Sequence, residues 1–218
     1  NNANKFGIEV GEITINWGKI IKRSRDVAKR LSKGIEFLMK KNKIIYIPAR
    51  GKLLGNGEVE TTDLSGKKAK VTAKNIIIAT GAKPKWFSSI KPDGKQVITY
   101  KEAMILDKQP KSLIIIGAGA IGVEFAYLYR MYGVEVSIVE LLPNLVPNED
   151  TEISEILERS FSKYGINVIT EVSVTGLVPA GETLSVVLDK EGQESILNAE
   201  KVLVAVGIQP NTSGIGLE

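Results

Sequence analysis

Six consecutive residues, Gly117-Ala118-Gly119-Ala120-Ile121-Gly122, have the types and spacing to hold a diphosphate. They follow the apolar run Leu113–Ile116 and open a helical pattern, which is the context a GxGxxG needs. Gly117 permits a tight turn, Gly119 lets backbone approach a ligand with no Cβ in the way, and Gly122 lets a helix pack closely on its strand. The free N–H groups and positive end of that helix then attract phosphate. Glu140 closes the next apolar run, eighteen residues after Gly122. A carboxylate there accepts hydrogen bonds from adenosine ribose hydroxyls and repels a 2′-phosphate. Asn144 is nearby and no arginine is, so the spacing predicts NAD(H) rather than NADP(H). Glu124, two residues past Gly122, favours the helix dipole; spacing alone assigns it nothing more. Two further runs, Ile76–Pro84 and Val202–Asn211, each end in Gly followed three residues later by Pro, at Gly81 and Gly207. Glycine at a strand's carboxyl end admits a ligand to the backbone, and two such ends suggest two nucleotide sites.

The chain of 218 residues contains no cysteine and no histidine. That excludes from these residues a disulfide scaffold, a thiolate metal site, a cysteine nucleophile, a Ser-His-Asp triad and imidazole acid–base chemistry. No catalytic residue and no metal ligand set is assigned. Apolar residues make up 43% and charged residues 25%, enough for a sizeable core. A net charge of +4 does not demand a nucleic-acid partner. No apolar run reaches the roughly 18 to 20 residues of a membrane span, and no signal peptide is recognisable. The first residue is Asn1, and with the stop at Leu217-Glu218 this reads as an internal piece of something longer.

The elements that must position these residues follow from hydrophobic period. Residues 14–41 read as a long amphipathic helix capped by Asn16, with Trp17, Ile20, Ile21, Val27, Ala28, Leu31, Ile35, Leu38 and Met39 on one face. Its opposite face is cationic and reads as solvated. Strands are expected at 43–47, 59–62, 69–72 and 76–79, and residues 84–111 as a crossing between domains. Then come a strand at 113–116, a helix at 120–132, a strand at 134–139, and a helix at 150–164 with Ile153, Ile156, Leu157 and Phe161 inward, ended by Gly165. Strands at 166–169, 172–178, 184–188 and 202–206 complete the pattern. The fold class is α/β: a three-layer Rossmann-like NAD-binding domain, βαβαβ plus a β-meander, preceded by a segment of long helix and β-meander. The boundaries are 1–84, 85–212 and 213–218.

The residues resemble the pyridine nucleotide-disulfide oxidoreductases, most of all members that oxidise dihydrolipoamide. Ile76–Pro84 resembles that family's flavin-domain closing motif, and Ser112–Ala126 its NAD fingerprint. Glu140–Ile166, Lys201–Glu218, Asn2–Ile8 and Gly51-Lys52 are also similar, so the likeness covers essentially the whole chain. It implies NAD contacts at Gly117, Ala118, Gly119, Ala120, Ile121, Gly122, Val123 and Glu140. It adds Glu124 near the nicotinamide, Val174, and Gly207. It implies that residues 1–84 are a partial FAD-domain segment, that 213–218 start the return to that domain, and that Gly51, Thr80, Gly81 and Ala82 touch FAD.

The family couples flavin, a redox disulfide and nicotinamide across a homodimer, reducing NAD⁺. The resemblance implies membership of a 2-oxo acid dehydrogenase complex. It further implies a part in cell redox homeostasis, in bacterial cytoplasm or mitochondrial matrix and not in secretion. Residues 1–40 lack the family's flavin GxGxxG; its cysteine pair, its later Gly-Asp motif and its His-Glu pair are also missing. The chain therefore corresponds to a middle segment, with no activity and no FAD affinity expected of it alone. NADH oxidase, transhydrogenase or mercuric reductase chemistry, or a free-standing NAD(H)-binding regulatory module, stays open at this point.

Overall fold

A computed structural model describes residues 3–217; Asn2 and Glu218, which the resemblance includes, lie outside them. After a single 3₁₀ turn the elements in chain order are α1 (Trp17–Lys41), β1 (Ala49–Gly55), β2 (Glu58–Asp63), β3 (Lys68–Thr72), β4 (Ala82–Pro84), β5 (Val97–Ile98), α2 (Tyr100–Ala103), β6 (Ser112–Ile116), α3 (Ala120–Met131), β7 (Glu135–Val139), α4 (Thr151–Tyr164), β8 (Asn167–Ile169), β9 (Ser173–Ala180), β10 (Thr183–Lys190), β11 (Gln193–Ala199), β12 (Lys201–Val204) and β13 (Ile208–Pro210). They form two compact units: Trp86–Gly207 with the residues up to Asp26, and Val27–Lys85 with the residues from Ile208 on.

The first unit has three layers. Its middle is a parallel sheet in the order β5-β12-β6-β7-β8. Successive side chains of β6 alternate between two buried clusters because a strand has a period of two. Leu113 and Ile115 face Ala126 and Tyr129 of α3 and Phe161 of α4. Ile114 and Ile116 face Leu184, Val186 and Leu188 of the antiparallel sheet β11-β10-β9. Burial on both faces explains why β6 reads Leu-Ile-Ile-Ile rather than alternating. Trp17 closes the helical side, its ring 5.4 Å from Tyr129 and its indole N–H donating to the Leu106 carbonyl at 2.7 Å. The Tyr129 hydroxyl donates to the Ala103 carbonyl, and burial pushes this phenol well above its ordinary pKa.

The second unit comprises the antiparallel meander β1-β2-β3, the pair β4/β13 and the later turns of α1. Asn56-Gly57, both at positive φ, make the β1–β2 turn. Lys68 pairs with Glu60 and Lys70 with Glu58 across β2 and β3.

The α/β class, the parallel sheet and the two meanders agree with expectation; several local readings do not. No strand forms at 43–47 or 76–79. Among the described residues nothing pairs with either segment, and an extended chain without a ladder is not a strand. Their apolar side chains stay exposed, Ile45 by 85% and Ile77 by 90%. The helix over 14–41 starts at Trp17, where the Asn16 side chain accepts the Lys19 N–H at 2.9 Å. Of its apolar face, Trp17, Ile20 and Ile21 pack inward, while Leu31, Ile35 and Leu38 are exposed. In α4 the inward face runs through Ser154, Leu157 and Phe161; Ile153 and Ile156 sit on its flank, more than half exposed. β12 ends at Val204, two residues early, because β6 itself stops at Ile116, whose carbonyl takes the last ladder bond, from the Ala205 N–H.

Candidate nucleotide site

The strand order of the parallel sheet reverses at β6. The chain runs from β6 through α3 to β7 on one side, while β12 lies on the other. The loops leaving β6 and β12 therefore part at their carboxyl ends, the crevice where open α/β sheets take ligands. Gly117 occupies that point at φ +105°, and a Cβ there would lie 2.5 Å from the Ala205 carbonyl oxygen. No other residue fits. A Cβ at Gly122 would collide with the Gly117 carbonyl oxygen, so this glycine lets α3 approach its own turn. Gly119 differs from both. Its φ is ordinary, and a Cβ on it would meet nothing within 4 Å. A substitution there is sterically harmless to the protein itself, so its lack of a side chain is left to serve whatever lies outside.

Gly119 is the N-cap of α3 and offers no side chain to cap it. The first-turn N–H groups of Ala120, Ile121 and Gly122 have no acceptor one turn back, as in any helix start. Positive potential collects there. Ile121, Val123 and Phe125 pack against the core and fix the helix in place.

Glu140 follows β7 directly. Its Oε2 accepts the Ala118 N–H at 2.7 Å and its Oε1 accepts the Leu142 N–H at 2.9 Å. Its backbone is held as well, N–H to Ile169 and C=O from Val172. The carboxylate thus stands beside the glycine loop with its position set by four hydrogen bonds. Each oxygen keeps a further acceptor position, since a carboxylate offers about four.

Glu124 is exposed on α3 and forms no ion pair among the described residues. Val174 lies in β9, opposite Leu188 of β10, and packs against the cluster that includes Val139. Gly207 has φ +116° and open space where a Cβ would be. The structure therefore brings Gly117–Val123, Glu140 and the residues after β12 to the carboxyl edge of one sheet, with β9 packed on that sheet's face.

The family pattern described as pyridine nucleotide-disulphide oxidoreductase matches residues 4–218. The chain belongs to this family. A dihydrolipoyl dehydrogenase of Chlorobaculum tepidum is 41% identical over 218 residues, all of this chain and 46% of that protein. One from Mycobacterium tuberculosis is also 41% identical with the same coverage. Among solved structures, LpdA from Mycobacterium tuberculosis superposes with a TM-score of 0.87 at 27% identity, over 99% of this chain and 47% of that one. The flavoprotein disulfide reductase RclA of Escherichia coli shares the fold, with a TM-score of 0.76 at 23% identity. The chain spans about half the length of the relatives it matches.

In this disulphide oxidoreductase chain the remaining sequence candidates lie in the second unit. Gly51 is in β1, where a Cβ would stand 3.4 Å from Val59. Thr80 and Gly81 offer their carbonyls to Asn211, from its side-chain amide at 3.2 Å and its backbone N–H at 3.0 Å. Ala82 opens β4 opposite Pro210.

Two contacts escaped the sequence reading. The Val146 N–H donates to the Ala118 carbonyl at 2.8 Å. Val146 does so from φ +40°, a region β-branched residues avoid. Nothing in the residue type signals this. The second contact is the engagement of the Glu140 carboxylate with the loop itself, which spacing to Gly122 does not reveal.

Proposed function

We propose that the unit built on Trp86–Gly207 binds NAD(H), and that the chain is the nicotinamide-nucleotide-binding part of a flavoprotein that oxidises dihydrolipoamide and reduces NAD⁺. The observation that carries this is the Glu140 carboxylate at hydrogen-bond distance from the glycine loop, beside a glycine whose missing Cβ the protein itself does not require. Uncapped N–H groups at the start of α3 suit a pyrophosphate. Glu140 suits ribose hydroxyls and disfavours a 2′-phosphate. When bound, the nicotinamide supplies the hydride acceptor or donor. The chain's own part is to bind and orient it: Gly117, Ala118, Gly119, Ala120, Ile121, Gly122 and Val123 at the diphosphate, Glu140 at the ribose, and Glu124, Val174 and Gly207 towards the ring.

On this reading residues 85–212 are the NAD domain. Residues 1–84 and 213–218 belong to an FAD-binding domain that Gly51, Thr80, Gly81 and Ala82 help to form. The 218 residues hold one GxGxxG and no cysteine, so neither FAD binding nor turnover is expected of this chain alone. The intact protein would act as a homodimer within a 2-oxo acid dehydrogenase complex, in cytoplasm or mitochondrial matrix.

An NMR titration with NADH tests the site. Amide shifts are expected at Gly119–Gly122, Glu140 and Gly207. Shifts confined to Val27–Lys85 would contradict the proposal.

A further inference from the structure

Ala118 is fully buried, and both of its backbone groups are gripped by the segment after β7. Its N–H goes to Glu140 Oε2 at 2.7 Å and its C=O receives the Val146 N–H at 2.8 Å. That segment is itself anchored. Leu142 N–H returns to Glu140 Oε1, Leu145 is fully buried, and the Val146 carbonyl accepts the Glu149 N–H at 2.8 Å. Val146 reaches Ala118 only by standing at φ +40°. A β-branched residue takes that conformation only where surrounding structure imposes it.

The consequence follows from peptide geometry. The Ala118 carbonyl and the Gly119 N–H belong to one planar trans unit and point in opposite directions. Holding the carbonyl towards Val146 turns the Gly119 N–H the other way, out of the loop. None of the described residues accepts from that N–H.

We propose that Val146 is a positioning residue for the nucleotide: its N–H fixes the peptide between Ala118 and Gly119 so that the Gly119 N–H is aimed at a diphosphate before ligand arrives. This rests on the nucleotide reading above and names a residue that the glycine fingerprint does not contain. Glu140 fixes the preceding peptide in the same way, so the two act as a pair on either side of Ala118. Pre-aimed donors spare the loop an ordering step on binding.

The test compares V146P, which removes the N–H and cannot take the positive φ, with V146G, which keeps the N–H and suits positive φ. The ligands are ADP-ribose, which carries the diphosphate, and adenosine, which does not. V146P breaks the contact on both counts and is expected to weaken ADP-ribose about tenfold or more, at least the worth of one hydrogen bond, and to leave adenosine unchanged. V146G is expected to retain wild-type affinity for both. Equal weakening of both ligands by V146P, or equal loss in both variants, would overturn the proposal. If V146P does not fold, hydrogen exchange on the wild-type chain decides. The Val146 amide should be protected without ligand, and the Gly119 amide should slow only when ADP-ribose is added. A Val146 amide exchanging at the unprotected rate refutes the positioning role. Failure of the wild-type chain to bind ADP-ribose at all would instead refute the nucleotide reading, since Val146 protection in the free protein is measured separately.

Discussion

At the scale of single residues, the three glycines of the loop carry different burdens, and the difference is measurable. Gly122 and Gly117 face backbone at distances no Cβ tolerates, whereas Gly119 faces open space. G122A is expected to lower stability by about 3 kcal/mol or more, the upper range for overpacking, because the obstructing atom is a carbonyl oxygen and cannot step aside. G119A should leave the stability nearly unchanged, within about 0.5 kcal/mol, and still abolish most NADH binding. Thermal unfolding and titration of the two variants check this. A G119A protein that binds NADH as wild type would show that the open position serves no ligand. This division was half legible in sequence. The spacing of Gly117, Gly119 and Gly122 is a local signal, and so is Glu140 at a strand end. The hold of Val146 on Ala118 is not, because valine gives no sign of a left-handed backbone and its partner lies 28 residues away.

Among the elements, those whose structure depends on near neighbours were readable and those that need a distant partner were not. The start of α1 at Asn16 and the end of α4 at Gly165, with φ +74°, follow from single residues. The apolar runs at 43–47 and 76–79 have strand composition but no ladder, which composition cannot foretell. β11 went unread because Gln193-Glu194-Ser195 gives it a polar start, yet it pairs with β10 over seven residues. The short helix α2 shows how local chemistry holds a connection in place. Thr99 caps it, and the Glu102 carboxylate accepts both the Thr99 N–H at 2.8 Å and its hydroxyl at 2.6 Å. Burial raises the Glu102 pKa, but these hydrogen bonds outweigh it and hold the carboxyl below its ordinary value. A depressed folded-state pKa contributes stability above the unfolded value, and that contribution is lost as pH falls through the folded one. The unit containing α2 should therefore lose stability on acidification, and less steeply in E102Q. T99A is expected to cost about 1 kcal/mol at neutral pH. Thermal denaturation at neutral and acidic pH measures both; parallel pH profiles for wild type and E102Q would show that Glu102 contributes nothing to the acid sensitivity.

For the whole molecule, the distribution of buried apolar side chains separates the two units. Among the described residues every one but Pro84 is Trp17 or lies between Ile90 and Ala205. Val27–Lys85 contributes Pro84 alone. Its meander is held by ladders and exposed ion pairs, which are worth little each. Hydrogen exchange should find amides of the parallel sheet protected by the full unfolding free energy, and those of β1, β2 and β3 exchanging through smaller openings. Better protection at 49–72 than at 112–139 would contradict this. The parallel sheet and its two covering layers were legible as a pattern because βαβαβ order leaves few topologies. The exposure of Leu31, Ile35 and Leu38 was not, since an amphipathic helix announces a buried face without saying how much of it finds cover.

Selection of NAD(H) by this glycine loop and Glu140 can be read from titration calorimetry of the 218-residue chain with NADH and with NADPH. Saturable NADH binding is expected, clearly tighter than NADPH, with the preference shrinking in E140Q. NADH bound no tighter than NADPH, or no binding of either, would contradict it.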